Sequence, residues 1–227
     1  FSDISFGLPH HFTEIDFLTD ASLARFYVPD GEALGNQWLM PSFDDSAWPQ
    51  GTAPLGFDRK RHPSHATEIR KDLSMLVGPD AGTVYFRFPF QVSQDQMGAI
   101  PLLKIRFKDG FSAYLNGELI GSSGAPDTLQ WDSRATVVAN SVREWDMDDG
   151  NLARAAEAMT LGNNVLAIQV LSGGNRSRDL FVAPSLSGMK GESIQEDQLV
   201  YFDYPTPEEI NGAGFLEIAP KPEFSTV

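Results

Sequence analysis

The stretch FKDGFSAYLNGELIG, at residues 107–121, places two turn signals between three short apolar segments. Asn116-Gly117 is the dipeptide most typical of a two-residue β-hairpin turn, because both positions need positive φ. Lys108-Asp109-Gly110 is the second signal, and we expect Gly110 as well as Gly117 to use the positive φ that glycine allows. The stretch therefore predicts a three-stranded β-meander in which both turns have a structural role.

Alternating residues predict further strands on either side of this stretch. Every second residue of TVYFRFPFQV (residues 83–92) is large and apolar, and LLKIRF (102–107) repeats the pattern, so each predicts a strand with one face on a core. NVLAIQVL (164–171) is apolar on both faces and predicts a fully buried strand, with DLFVAPSLSG (179–188) as its partner. SLARFYV (22–28) predicts another strand near the start of the chain.

One helix is predicted at NLARAAEAM (residues 151–159), where Leu152, Ala155 and Met159 share a face. Asp148 precedes it and favours the positive end of the helix dipole. At least seven short strands with turn signals between them, together with a single helix, predict an all-β fold of the β-sandwich type.

The pattern also predicts how the chain is organised. We expect a joining segment at residues 1–19, the sandwich domain at residues 20–188, and a C-terminal extension or linker at residues 189–227. The extension holds eight acidic and two basic residues and four prolines, and LVYFDY (199–204) is the one part of it that we expect to pair as a strand.

Charge and composition exclude several classes of protein. The chain of 227 residues has 17 Lys+Arg against 31 Asp+Glu, a net charge of −14, which disfavours nucleic acid and anionic membranes as partners. No run of eighteen apolar residues predicts a transmembrane helix. Cysteine is absent, which excludes disulfides, thiolate metal sites and cysteine nucleophiles.

Five motifs in fixed order carry a resemblance to a known family. They are WLMPSFDDSAWPQGTAPLGF (residues 38–57), VYFRFPFQV (84–92), KDGFSAYLNGELIG (108–121), WDSRA (131–135) and GNNVLAIQVL (162–171). In this series the sequence resembles galactose-binding-domain-like jelly-roll modules, of the non-catalytic kind found beside glycoside hydrolases and in large secreted planctomycete- and verrucomicrobia-type proteins. The resemblance implies a jelly-roll β-sandwich over about residues 20–188.

The same resemblance implies a function and a setting. Such modules are assigned to carbohydrate binding, so we expect a polysaccharide or glycan as ligand and a secreted or cell-surface bacterial protein. The two flanks resemble segments that join these modules to neighbours, so we expect neighbouring domains in the same chain. The related jelly rolls often hold a structural calcium ion bound partly by backbone carbonyls, so we expect calcium as the one candidate cofactor, without assigning its ligands.

Sugar binding needs an aromatic face for the apolar side of a pyranose ring and planar polar groups for its hydroxyls. Trp131 is the first aromatic candidate, because APDTLQWDSRA predicts a loop in which a core residue would be hard to cover, and Trp145 is the second. Asn175 and Arg178, in the turn NRSRD, are the polar candidates. The alternative is that Trp131 only closes the edge of the sandwich and that the turn is structural.

Motifs for catalysis are missing from the sequence. It holds no G-x-S-x-G, no H-E-x-x-H and no Ser-His-Asp spacing, so we expect a protein that is not an enzyme. His62-x-x-His65 is conceivable as a zinc pair, but Pro63 indicates a loop and favours a solvated surface position. The function alternative to glycan binding is a structural or adhesive spacer domain with no ligand of its own.

Overall fold

The computed structural model describes residues 5–7, 10–60, 64–193 and 200–202. The chain divides into two compact units, residues 15–188 and residues 1–14 together with 189–227. The strands and the helix described are, in chain order, β1 (Ser5–Gly7), β2 (His10–Leu18), β3 (Leu23–Tyr27), β4 (Gln50–Thr52), β5 (Leu55–Asp58), β6 (Lys71–Asp72), β7 (Thr83–Val92), β8 (Ile100–Phe107), β9 (Gly110–Leu115), β10 (Glu118–Ser123), β11 (Arg143–Asp146), α1 (Asp149–Ala158), β12 (Gly162–Leu171), β13 (Asp179–Ser193) and β14 (Val200–Phe202). Two 3-10 turns lie at Gln37–Leu39 and Ala66–Glu68.

In the smaller unit, β1 and β14 form a two-stranded antiparallel ribbon with Ser5 opposite Phe202. β14 covers residues 200–202 of the LVYFDY stretch, and the rest of that stretch lies outside the described residues.

In the larger unit, two sheets pack face to face. One has the strand order β10-β9-β12-β7-β3-β4, and the other has the order β11-β8-β13-β5-β6, with β2 also pairing with β13. The predicted all-β jelly-roll sandwich is confirmed, and one short α-helix lies within the part of the chain that the structure describes. No helix among the described residues is long and apolar enough to cross a membrane.

The core lies between the inner faces of the two sheets, where Phe86, Phe88, Phe107 and Phe111 are fully buried. The period-two pattern of residues 83–92 therefore placed the inward residues correctly. NVLAIQVL is buried along its whole length, as predicted. Its predicted partner is wrong, since β12 pairs with β7 and β9, whereas β13 lies in the opposite sheet beside β5.

The opening stretch contains one hairpin rather than a meander. β9 and β10 pair across Asn116-Gly117, and both turn residues have positive φ, as predicted. β8 and β9, however, belong to opposite sheets, so Lys108-Asp109 crosses the sandwich instead of making a hairpin turn. The positive φ falls on Asp109 rather than on Gly110. Gly110 is needed for a different reason, because a Cβ there would lie 2.5 Å from the carbonyl oxygen of Gly124.

Buried charges hold this crossing in place. Lys108 is 0% exposed, and its Nζ lies 3.3 Å from Oδ1 of Asp109 and 3.2 Å from Oδ2 of Asp179. The two carboxylate oxygens of Asp109 accept hydrogen bonds from the backbone N–H of Ala139 (2.8 Å) and of Gly173 (2.7 Å). These hydrogen bonds attach two later loops to the crossing. The buried charge of Lys108 is paired with the carboxylates of Asp109 and Asp179, as a charge removed from water requires.

The helix begins close to the predicted residue. Asp148 precedes α1, and its side chain accepts a hydrogen bond from the backbone N–H of Asn151 at 3.0 Å, which caps the first turn.

Candidate functional site

A pocket lies on the outer face of the sheet that contains β7, β9 and β12. Its volume is about 170 Å³. The three strands form its floor, a loop at residues 31–39 forms one side, and a loop at residues 129–131 forms the other. The pocket therefore lies on the side of the sheet opposite the main core.

Strand register explains why the floor is aromatic. Gln169 on β12 lies opposite Tyr85 on β7, and Ala167 lies opposite Tyr114 on β9. Because successive residues of a strand point to opposite faces, these side chains point outward while their neighbours point into the core. Tyr85 and Gln169 are buried and Tyr114 is half-buried, so a second layer of chain covers part of this face.

Trp38 is the centre of that second layer. Its ring stacks on Tyr85 with the centroids 4.0 Å apart and the planes 6° from parallel, and only 2% of the residue is exposed. It also meets Tyr114 edge-on at 6.5 Å. Offset stacked and edge-to-face rings of this kind stabilise each other beyond their area burial. The loop that carries Trp38 is thus packed onto the sheet.

Arg87 fastens the same loop from below. This buried residue of β7 donates hydrogen bonds through Nη1 to the carbonyl oxygens of Trp38 and Met40, the latter at 3.1 Å. Its Nε donates to Oδ2 of Asp45 at 2.7 Å. A planar guanidinium with several fixed donors suits the role of holding a loop in one geometry.

The opposite wall, which carries Trp131, is hydrogen-bonded to residues of two strands. Gln169 donates through Nε2 to the carbonyl oxygen of Gln130 at 2.8 Å, and the hydroxyl of Thr83 donates to the carbonyl oxygen of Ser133 at 2.7 Å. Both contacts join strand residues to backbone of the loop. Trp131 is therefore positioned before any ligand arrives, which reduces the ordering cost of binding.

Gly82 allows this wall to approach the sheet. A Cβ at that position would lie 2.8 Å from the carbonyl oxygens of both Asp132 and Ser133. Real Cβ atoms do not approach oxygens so closely, so any larger residue at Gly82 would push the loop outward.

Trp131 differs from the other tryptophans of the chain. It is half-buried and lines the pocket, and among the described residues its ring packs on no other aromatic ring and its indole N–H has no hydrogen-bond partner. The remaining three each pack against a ring: Trp38 on Tyr85, Trp48 on Tyr27 and Trp145 on Phe111. An aromatic ring and an N–H donor at Trp131 are thus both available to a ligand.

The floor of the pocket disfavours negative charge. The pKa of Tyr85 is raised to about 12, mainly because the hydroxyl is buried and to a lesser extent because Tyr114 and Asp132 are nearby. Burial also raises the pKa of Tyr114. Both phenols are therefore neutral hydroxyl groups at physiological pH, able to donate and accept hydrogen bonds.

The other predicted site residues lie outside this pocket. Trp145, on β11, covers Gly121 of β10 and meets Phe111 edge-on at 5.4 Å, where it packs against the main core. Asn175 and Arg178 are exposed in the loop between β12 and β13, and neither lines the pocket. A role of these three in glycan binding stays a prediction.

Sequence reasoning missed most of the pocket. The sequence places Tyr85, Tyr114 and Gln169 in predicted strands and Trp38 in a family motif, and it predicts a site role for none of them. The available signal was the outward face of two strands, where Tyr85 and Gln169 interrupt strongly apolar segments. The pattern could not reveal that a loop 47 residues earlier than Tyr85 covers the same face with Trp38.

His65 is not on the surface. It is 1% exposed and meets Phe181 edge-on at 5.5 Å, so the predicted solvated position is wrong. Its Nδ1 lies 3.3 Å from Oδ2 of Asp58, which also accepts the backbone N–H of Ser64. This carboxylate therefore holds Ser64 and His65 in place. His62, the other member of the considered pair, lies outside the described residues.

The expected calcium ion has no carboxylate cluster to bind it in the part of the chain that the structure describes, where no three His, Asp or Glu side chains are grouped to hold a metal. A calcium ion bound through backbone carbonyls stays a prediction. Thermal unfolding with and without EDTA tests it, because an ion bound only to the folded state raises the midpoint.

Comparisons with known proteins find similarity at the level of structure. No family model and no curated protein matches the chain. Among solved structures, it is similar to a β-glucuronidase of Bacteroides uniformis (TM-score 0.49, 14% identity, 78% of this chain and 18% of that one). It is also similar to a glycosyl hydrolase family 2 member from Bacteroides cellulosilyticus (0.44, 15%, 78% and 20%) and to a β-glucuronidase of Ruminococcus gnavus (0.44, 10%, 78% and 29%). The chain spans less than a third of the length of each.

Proposed function

We propose that the chain is a non-catalytic carbohydrate-binding module of an extracellular, multidomain bacterial protein, and that the pocket beside Trp131 is its glycan site. The observation that carries the proposal is the ring of Trp131, which stacks on no other described ring and lies at the edge of a pocket with an aromatic floor. Its loop is held in place by hydrogen bonds to the neighbouring strands. The extracellular and multidomain setting follows the family resemblance of the sequence.

The chemistry of the pocket suits a pyranose. The C–H face of the sugar packs on the ring of Trp131, with the half-buried ring of Tyr114 nearby in the floor. The sugar hydroxyls meet the Trp131 N–H, the tyrosine hydroxyls and the exposed amides of Asn36 and Gln130. Amide groups both donate and accept, so they match the mixed character of a hydroxyl pair.

The ionisable groups of the pocket favour binding over hydrolysis. Glu32 is the one carboxylate among the described residues that line it. Glycoside hydrolysis ordinarily uses a pair of carboxyl groups, one as acid and the other as base or nucleophile. We infer that the pocket holds a glycan without cleaving it.

The test is affinity electrophoresis of the parent and of Trp131→Ala in gels that contain plant and algal polysaccharides. We expect the parent to be retarded by at least one glycan, and Trp131→Ala to lose about 1–3 kcal/mol of binding, the scale of an aromatic contact at a hot spot. The matched control is Leu161→Ala, which removes an exposed apolar side chain outside the pocket and should bind as the parent does.

Two further variants, Asn175→Ala and Arg178→Ala, test whether the bound glycan extends beyond the pocket. If the ligand extends beyond the pocket onto the loop between β12 and β13, these variants weaken binding as well. If they bind like the parent, the glycan site is confined to the pocket. Parent protein that no glycan retards would contradict the proposal and would favour the spacer domain without a ligand.

A further inference from the structure

No positively charged side chain is found among the described residues that line the pocket. Glu32, which is one of them, is exposed at the rim. Asp132 directly follows Trp131 and is exposed as well. A ligand in the pocket therefore meets the carboxylate of Glu32, with Asp132 one residue beyond the wall, and no lining cation balances a negative group.

The arginines near this face are engaged elsewhere. Arg87 lies beneath the loop, where it is buried and bonded to Asp45 and to loop carbonyls. Arg134 donates through Nη1 to the carbonyl oxygen of Gly174 at 3.0 Å. Arg25 pairs with Asp45 at 3.3 Å and donates to the carbonyl oxygen of Trp48 at 3.0 Å. Each guanidinium holds the fold together and would have to leave its partners to reach a ligand.

The negative charge of Asp132 also affects a tyrosine in the floor of the pocket. Asp132 is one of the groups that raise the pKa of Tyr85, so its negative charge acts on the floor of the pocket. A carboxylate on a bound sugar would lose water and gain no opposite charge, and both effects oppose binding. A neutral hydroxymethyl group in the same place meets neither penalty.

We propose, on the basis of the function proposed above, that the pocket accepts neutral and amino sugar units and excludes sugar acids. An ammonium group on a sugar gains from Glu32 and from the faces of the aromatic rings, which attract cations. A uronate or sulfate group is repelled by Glu32 and Asp132. The pocket thus selects sugar units by their charge as well as by the shape of the sugar ring.

The experiment uses polysaccharides that share a backbone and differ in charge. One set is β-1,4-glucan, chitosan and β-1,4-glucuronan, and a further pair is β-1,4-mannan with β-1,4-polymannuronate. Only retardation that Trp131→Ala abolishes is scored, because the chain has a net charge of −14 and attracts polycations at any surface. We expect such retardation with neutral or amine-bearing members and with none of the uronates.

A pair of charge-reversal variants locates the effect. Glu32→Lys and Glu157→Lys change the net charge equally, but Glu157 is exposed on α1 and does not line the pocket. We expect Glu32→Lys to bind uronate about two- to fivefold more tightly than Glu157→Lys, the range of one exposed ion pair.

The outcomes separate this inference from the proposed function. Trp131-dependent binding of a uronate by the parent would overturn the charge selection and leave carbohydrate binding intact. Equal uronate binding by Glu32→Lys and Glu157→Lys would also overturn it, because selection would then arise from net charge and not from the pocket. Failure of every glycan to bind would overturn the proposed function, and this inference with it.

Discussion

The two faces of strand β7 are covered by different parts of the chain. On the inner face, Phe86 and Phe88 are completely buried against the opposite sheet. On the outer face, Tyr85 and Arg87 are also buried, but a loop with Trp38 covers them rather than a sheet. The inner cover is continuous, whereas the outer cover leaves a pocket between two loops.

The difference shows where this sandwich can bind a ligand. A core between two sheets is close-packed and has no room for a sugar. A face covered by loops keeps polar groups within reach of solvent, and the covering loops can differ without disturbing the sheets. The outer face therefore combines a rigid floor with walls that carry the side chains of the proposed glycan site.

The largest expected effect is on the inner face. Phe86→Ala leaves a cavity in the core and should cost about 3–5 kcal/mol of the free energy of unfolding. Tyr85→Phe, one residue away on the outer face, removes a hydroxyl and keeps the ring on Trp38, so it should cost less than about 1 kcal/mol. Urea denaturation of both variants measures the difference. Equal losses would mean that the outer layer is packed as tightly as the core.

Residue patterns predicted the inner face well and the outer face poorly. Alternation in residues 83–92 identifies Phe86 and Phe88 as inward, because one sheet face must be apolar to meet the other sheet. It places Tyr85 and Arg87 on the other face without saying what covers that face, because a strand pattern contains no information about a distant loop that returns over it. The buried state of Arg87 depends on carbonyl oxygens of Trp38 and its neighbours, which no local pattern reveals.

The next effect concerns the crossing between the sheets. Asp109→Asn keeps the shape of the side chain and tolerates the positive φ, but it loses the charge that faces Lys108 and one of two acceptors for backbone N–H groups. We expect a loss of about 1–3 kcal/mol in the free energy of unfolding, the range for a buried hydrogen bond that involves a charged group.

Asp127→Asn is the matched control for that variant, because Asp127 is exposed in a loop and should tolerate the change within about 0.5 kcal/mol. Equal unfolding free energies for the two variants would show that the buried pair at Lys108 and Asp109 does not stabilise the crossing.

The crossing also marks a limit of the sequence prediction. Lys108-Asp109-Gly110 has the composition of a hairpin turn, and the predicted meander followed from that composition. The structure uses the same residues as a buried connection between sheets, because Asp179 and two loop N–H groups supply partners for the charges. Those partners lie 30 or more residues away, so local turn chemistry could not distinguish the two outcomes.

A smaller effect is expected on raising the pH. Tyr85 is neutral in both states below pH 10, but between its ordinary pKa and its raised folded pKa of about 12 the unfolded chain loses the proton and the native state keeps it. The stabilising contribution of the buried phenol is therefore complete below about pH 10 and is lost as the pH rises through that window.

Unfolding by urea at about pH 9 and about pH 11 measures this loss. The parent should lose about 1–2 kcal/mol more than Tyr85→Phe between the two conditions, since one pKa unit corresponds to about 1.4 kcal/mol. An identical pH dependence of the two proteins would mean that the phenol of Tyr85 is not desolvated, and that the outer layer is open to water.

The smallest effect separates two half-buried tryptophans. Trp145 packs on Phe111 and covers Gly121, whereas Trp131 packs on no ring among the described residues. Trp131→Ala should change the free energy of unfolding by less than about 1 kcal/mol, because its loop is held by backbone hydrogen bonds that the variant keeps. Trp145→Ala should cost more, since it uncovers the edge of the core. Thermal and urea unfolding of the two variants measure the contrast. A Trp131→Ala protein that unfolds as early as Trp145→Ala would show that Trp131 closes the sandwich edge, and its ring would then be unavailable to a sugar.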